Sequence, residues 1–170
     1  MPNFKVIDGV VQPAARAGAT GTAAQDLRVA IVAARFNADL VERMVTGAAA
    51  AWQRQGGDPA GLLLVRAPGA FELPLLARKL AASGRYDAII ALGCVIRGDT
   101  AHFDFVAGEA ARGIADAARD TGVPVIFGVL TTESVEQALE RADPARMDKG
   151  GEAMDAALEM ARVLRELAAP

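Results

Sequence analysis

The chain has 170 residues, 18 basic against 21 acidic side chains and a formal net charge of −3, which is the size of one domain and no electrostatic footprint for nucleic acid. One cysteine and one histidine exclude an internal disulfide and a zinc set built from those residue types. No uninterrupted apolar run reaches about 18 residues and "MPNFKVIDGVV" lacks a basic-then-apolar leader pattern, so we expect a soluble, cytoplasmic protein with no membrane partner.

Taken in chain order, "FKVIDGVV" (4–11) is a short strand-like piece, and "QPAARAGATGTAAQD" (12–26) mixes Ala, Gly, Thr and Pro without periodicity, as a mobile linker would. Residues 1–26 are therefore expected to be an N-terminal extension and 27–170 the domain proper. From there "RVAIVAA" (28–34), "LLLVRA" (62–67), "DAIIALGCVI" (87–96) and "PVIFGVL" (124–130) are continuous runs rich in Val, Ile and Leu, the pattern of strands buried on both faces. Helical spacing alternates with them. "DLVERMVTGAAAAWQRQGG" stops at Gly-Gly, Pro74 marks the first turn of a helix running to about Gly84, residues 103–121 form a third, "SVEQALERA" a fourth and "GGEAMDAALEMARVLREL" an amphipathic fifth. The alternation predicts an α/β fold with helices on both faces of a parallel sheet.

In such a sheet, ligands bind beyond the carboxyl ends of the strands where the strand order reverses. The stretches expected there are "RFN" (35–37), "PGAFE" (68–72), "GCVIRGDTAH" (93–102) and "FGVLTTE" (127–133). They bring Phe36, Phe71 and Phe127 together with Asn37, Glu72, Thr100 and His102, which suits a hydrogen-bonding cleft for a flat heterocycle. His102 is the one side chain able to shuttle protons near neutral pH, although a histidine in a first helical turn can also simply pack. Glu72 can equally be an acid favoured by a helix dipole, and Cys94 reads as a small core residue, not a nucleophile. "GDT" before a helix could offer backbone amides to an anion. Neither G-x-x-x-x-G-K-[ST] nor G-x-G-x-x-G is present, so nothing points to a nucleoside triphosphate or a dinucleotide.

"RFN", "PGAFELP", "GCVIRGDTAHFDFV", "FGVLTT" and "QALERA…KGGEAMDAALEM", in this order, resemble the lumazine synthase family over about residues 28 to 167. The resemblance implies a flavodoxin-like three-layer sandwich with a four-stranded parallel sheet. It implies condensation of 5-amino-6-(D-ribitylamino)uracil with 3,4-dihydroxy-2-butanone 4-phosphate, without metal or organic cofactor, in riboflavin synthesis, and hence a functional link to riboflavin synthase. By the same resemblance Phe36 stacks on the pyrimidine, Ala70, Phe71, Glu72, Cys94, Val95 and Ile96 line the uracil and ribityl site, and Phe127 comes from the adjacent subunit. Asp99 and Thr100 would hold the phosphate, joined by Arg141 across the interface, and His102 would be the proton donor. Active sites would then lie at subunit interfaces of a homo-oligomer. The stretch "ADPARMDKGG" lacks the Gly-Asn found in capsid-forming members, which argues against icosahedral assembly, and a pentamer is expected because the family's active site is shared between neighbouring subunits. The competing readings are an archaeal-type riboflavin synthase and a flavin- or lumazine-binding protein without turnover.

Overall fold

The computed structural model describes residues 5–7 and 21–169. Strands β1 (Lys5–Ile7), β2 (Val29–Ala34), β3 (Leu62–Ala67), β4 (Ala88–Ile96) and β5 (Val125–Thr132) form one sheet in the order β1-β3-β2-β4-β5, every pairing parallel. Helices α1 (Ala38–Arg54), α2 (Leu73–Ala81), α3 (His102–Thr121), α4 (Val135–Ala142) and α5 (Lys149–Ala168) alternate with the strands. The four apolar runs thus make the expected parallel sheet, and the N-terminal piece adds a short fifth strand at its edge, Lys5 opposite Leu63 and Ile7 opposite Val65.

Successive strand residues point to opposite faces, so one strand feeds two cores. Val29, Ile31 and Ala33 enter a cluster with α1, α4 and α5, while Ala30, Val32 and Ala34 enter another with α2 and α3. In β4, Ile90, Leu92 and Cys94 take the first side and Ile89, Ala91 and Val95 the second. This double burial explains why the runs are continuously apolar rather than alternating.

The helices are placed by small residues and caps. A methyl on Gly150 would run into the backbone carbonyl of Met44, so α5 starts almost in contact with the α1 backbone. Asp148, in the left-handed region at φ 44°, caps α5 by accepting the Gly151 N–H at 3.0 Å. On the other face a Cβ at Gly113 of α3 would lie 2.7 Å from the Pro74 ring of α2. Ser134 caps α4 by accepting the Gln137 N–H at 3.3 Å.

Three expectations are modified. Most of the linker expected over 12–26 lies outside the described residues, but its end is packed: Ala24–Asp26 form a 3-10 turn with Ala24 buried. Arg165 donates to the carbonyls of Gly21 and Asp26 and pairs with Asp87 at 2.8 Å, and Arg162 donates to the Thr22 carbonyl. Packed structure therefore reaches back to residue 21. The last strand runs on through Thr131 and Thr132, whose branched side chains suit a strand, and Phe127 is its third residue instead of lying at its exit. Finally, the third helix begins at His102 itself.

Candidate active site

The chain passes from β2 to β3 on one side and then to β4 on the other, so the strand order reverses between β2 and β4. A cavity of about 720 Å³ opens at the carboxyl ends there. Asn37 holds the two strand ends together: it adopts the left-handed conformation at φ 56° and its side-chain amide donates to the Cys94 carbonyl at 2.9 Å. The β2–β3 ladder continues past the strands, Arg35 N–H to Ala67 at 2.8 Å and Phe36 N–H to Pro68 at 3.1 Å. Phe36 is thereby fixed at the rim with 69% of its surface exposed.

The end of β4, with Cys94, Val95 and Ile96, and the 3-10 turn Ala70–Glu72 line the cavity together with Phe36. Gly69 precedes that turn in extended backbone, and a Cβ there would sit 3.2 Å from a Glu72 carboxylate oxygen. Gly98, Thr100 and His102 border the far end, the His102 N–H lying 3.4 Å from the Thr100 hydroxyl, and Phe103, Phe105 and Val106 close the side. Burial pushes the Cys94 thiol up to about 11, so it stays protonated and uncharged near neutral pH. Its place in the cavity is a surface contribution, not a nucleophile.

Nine of the residues expected at the site line this cavity: Phe36, Ala70, Phe71, Glu72, Cys94, Val95, Ile96, Thr100 and His102. Asp99 is exposed and not part of the lining. An ionised Asp99 would also repel a phosphate, so only its backbone N–H could serve an anion. Phe127 and Arg141 are elsewhere, in a second cavity of about 410 Å³ between β5, α4, α5 and Met44, together with Lys149 and Glu152. Within that group Lys149 pairs with Glu152 at 2.6 Å and Arg141 donates to the Gln137 carbonyl at 3.0 Å.

The cavity lining at the sheet's carboxyl edge contains no Lys or Arg. Arg97 is near, but it is committed: it contacts Glu133 at 2.9 Å and Asp104 at 3.2 Å, and its guanidinium lies 4.1 Å from the centre of the Phe103 ring. Hydrogen bonds to Asp104 and then Glu133 hold it more firmly charged. Arg97, Phe103 and Phe105 were not singled out from sequence. Their signal was position alone, inside "IRGDTAHFDFV". Among the described residues no three His, Cys, Asp or Glu side chains converge to hold a metal ion, and no helix is long and apolar enough to cross a membrane.

Residues 26–165 match the family described as 6,7-dimethyl-8-ribityllumazine synthase. Proteins of that name are similar to this chain over most of its length: one from Nitratidesulfovibrio vulgaris is 55% identical over 144 residues, 85% of this chain and 92% of the relative. One from Deinococcus deserti is 54% identical with the same coverage, and one from Chlorobium phaeovibrioides is 48% identical over 147 residues, 86% and 95% of the two chains. The chain belongs to the 6,7-dimethyl-8-ribityllumazine synthase family.

Membership of that family gives the two cavities a chemical context. One presents aromatic faces, a carboxylate, a hydroxyl and an imidazole, and the other presents an aromatic ring with Arg141 and a Lys149–Glu152 ion pair. The stretch "ADPARMD" between α4 and α5 folds back on itself, the Asp143 carboxylate accepting the Ala145 N–H at 2.9 Å and the Asp143 carbonyl accepting the Asp148 N–H at 3.1 Å. Arg141 and Lys149, which flank it, are thereby held on one surface.

Proposed function

We propose that this chain joins 5-amino-6-(D-ribitylamino)uracil to 3,4-dihydroxy-2-butanone 4-phosphate, giving 6,7-dimethyl-8-ribityllumazine, phosphate and water, at a site completed by a neighbouring copy. The observation that carries the shared site is charge: a phosphorylated substrate needs a cation, and the cavity lining that bears Glu72, Thr100 and His102 has no Lys or Arg. Arg141 and Phe127 lie together on a different surface of the same chain. A contact that brings one surface onto the other is heterologous, and such contacts close into a ring where the rotation from one copy to the next divides a full turn. Five copies is the number that the resemblance implies, and it remains part of the proposal, as does a cytoplasmic location with riboflavin synthase as the next enzyme.

The roles follow from the chemistry. Phe36 offers a face for the pyrimidine, and the residues 70–72 and 94–96 shape a slot that holds its amine near the ketone. The amine adds to the carbonyl carbon, water leaves as the imine forms, phosphate is eliminated by loss of a proton and cleavage of the C–O bond, the enol left behind takes up a proton on carbon and becomes a ketone, and the second amine adds to that ketone and closes the ring with loss of a second water. Each step moves a proton. His102 carries the side chain type that titrates nearest neutral pH and borders the cavity beside Thr100. Thr100, the backbone amides of residues 98–100 and Arg141 of the partner subunit would hold the phosphate and stabilise its departure. Asp99 contributes through its N–H alone.

Incubating the purified protein with both substrates and following lumazine fluorescence tests this reading. Product should appear without added metal or cofactor. Absence of product, or conversion of added lumazine to riboflavin instead, would contradict it, the second result favouring a riboflavin synthase.

A further inference from the structure

The geometry points to Arg97 as a positioning residue that clamps the loop 98–101 and the first turn of α3, and so sets where Thr100 and His102 stand. This rests on the reading of the cavity given above. Arg97 is the residue immediately after β4, and its backbone N–H still donates to the Thr132 carbonyl at 2.9 Å, so its own main chain is fixed to the sheet. The loop that follows has little to hold it. Residues 97–102 are exposed, and an added Cβ at Gly98 would meet nothing within 4 Å.

The Arg97 side chain reaches over this loop to its far end. Two guanidinium nitrogens meet the two Asp104 oxygens at 3.2 and 3.4 Å, a fork-to-fork pairing, while the planar group lies on the Phe103 ring at 4.1 Å. Nε meets Glu133 at 2.9 Å, and the Glu133 N–H is itself held by the Gln137 side chain at 3.0 Å. His102 sits directly before the two residues Arg97 grips, and Phe103 lines the cavity. An exposed ion pair adds little stability by itself. Here its consequence is geometric: one side chain joins the two ends of the loop that carries the hydroxyl and the imidazole. Two carboxylates already occupy the guanidinium, so a phosphate would have to displace them to bind there.

The test compares Arg97→Gln, Arg97→Lys, Asp104→Asn and the Gln/Asn double variant, using steady-state lumazine formation and amide hydrogen exchange of residues 98–104. In Arg97→Gln, kcat should fall between about tenfold and a hundredfold, the loss that misplacing a catalytic group produces, with a smaller rise in KM for the phosphorylated substrate because Thr100 loses its place along with His102. Arg97→Lys should not restore kcat, because an ammonium neither forks nor stacks. The double variant should be no worse than Arg97→Gln, and exchange over 98–104 should quicken in each. A raised KM with kcat intact would make Arg97 a substrate ligand instead, and unchanged exchange in a folded Arg97→Gln protein would overturn the clamp whatever the activity. Should the wild type make no lumazine, the reading of the site falls and the exchange result alone decides for or against the clamp.

Discussion

Phe36 shows how one side chain is given over to binding. Its backbone is fixed by the Pro68 carbonyl and by Asn37 next to it, yet its ring is largely exposed at the cavity rim. Removing the ring should therefore cost affinity and not fold: Phe36→Ala should weaken binding of the uracil substrate by about 1–3 kcal/mol, the usual worth of a base stacked on an aromatic ring, as read by calorimetry. His102→Asn keeps polarity but removes the proton shuttle, so turnover should drop while substrate affinity stays nearly constant. Full activity in that variant would leave His102 as a packing residue. Cys94 supplies a pH test. Its folded thiol is raised to about 11, whereas an unfolded thiol ionises near about 8.5. Above the lower value the unfolded chain loses a proton that the native chain keeps, so stability is fully present below about 8.5 and declines as pH climbs towards the folded value. Urea midpoints measured from pH 8 to 11 should show this slope in the wild type and lack its Cys94 part in Cys94→Ala. At this scale the lone histidine and the aromatic residues after β2 and β3 were legible in the sequence because their types are rare and their positions follow from strand ends. Arg97 was not, since its partners Asp104 and Glu133 come close only once α3 and the β5–α4 loop have turned towards β4.

Between elements, α1 and α5 cross in close contact, with Gly150 facing the Met44 carbonyl. That carbonyl is backbone and cannot swing aside, so Gly150→Ala must push the helices apart. A loss of about 1–3 kcal/mol or more is expected, the range for overpacking a tight core, measured by urea unfolding; an unchanged midpoint would mean that the crossing is looser than described. Periodicity disclosed the order and type of the four long strands and five helices because each is long enough to repeat its pattern. It was silent where length fails. Three residues, Lys5–Ile7, carry no period that could assign them to the β3 edge. The end of β5 was set too early because Thr131 and Thr132 look polar in a list of residues but suit a strand by shape. Residues 21–26 read as linker from composition, and only the reach of Arg162 and Arg165 across from α5 shows that they pack.

At the scale of the whole molecule, the separation of the two cavities is the central fact. His102 borders one and Arg141 borders the other, and the lining of the first has no Lys or Arg to meet a phosphate. Residue pattern alone could suggest both residues, but that a single chain leaves them apart was implied only by the family resemblance, because it depends on which surface of the sheet each helix covers. The account requires neighbouring copies to bring them together, so activity should belong to interfaces rather than to chains. Coexpression of His102→Ala and Arg141→Ala chains at equal levels measures this directly. Each variant alone should be poorly active. In a closed ring of randomly mixed subunits roughly a quarter of the interfaces pair an intact His102 with an intact Arg141, so lumazine formation per milligram should rise towards that fraction of wild type. Activity no higher than the average of the two variants, in oligomers shown by mass spectrometry to be mixed, would mean that His102 and Arg141 do not meet across an interface, and would contradict the shared site.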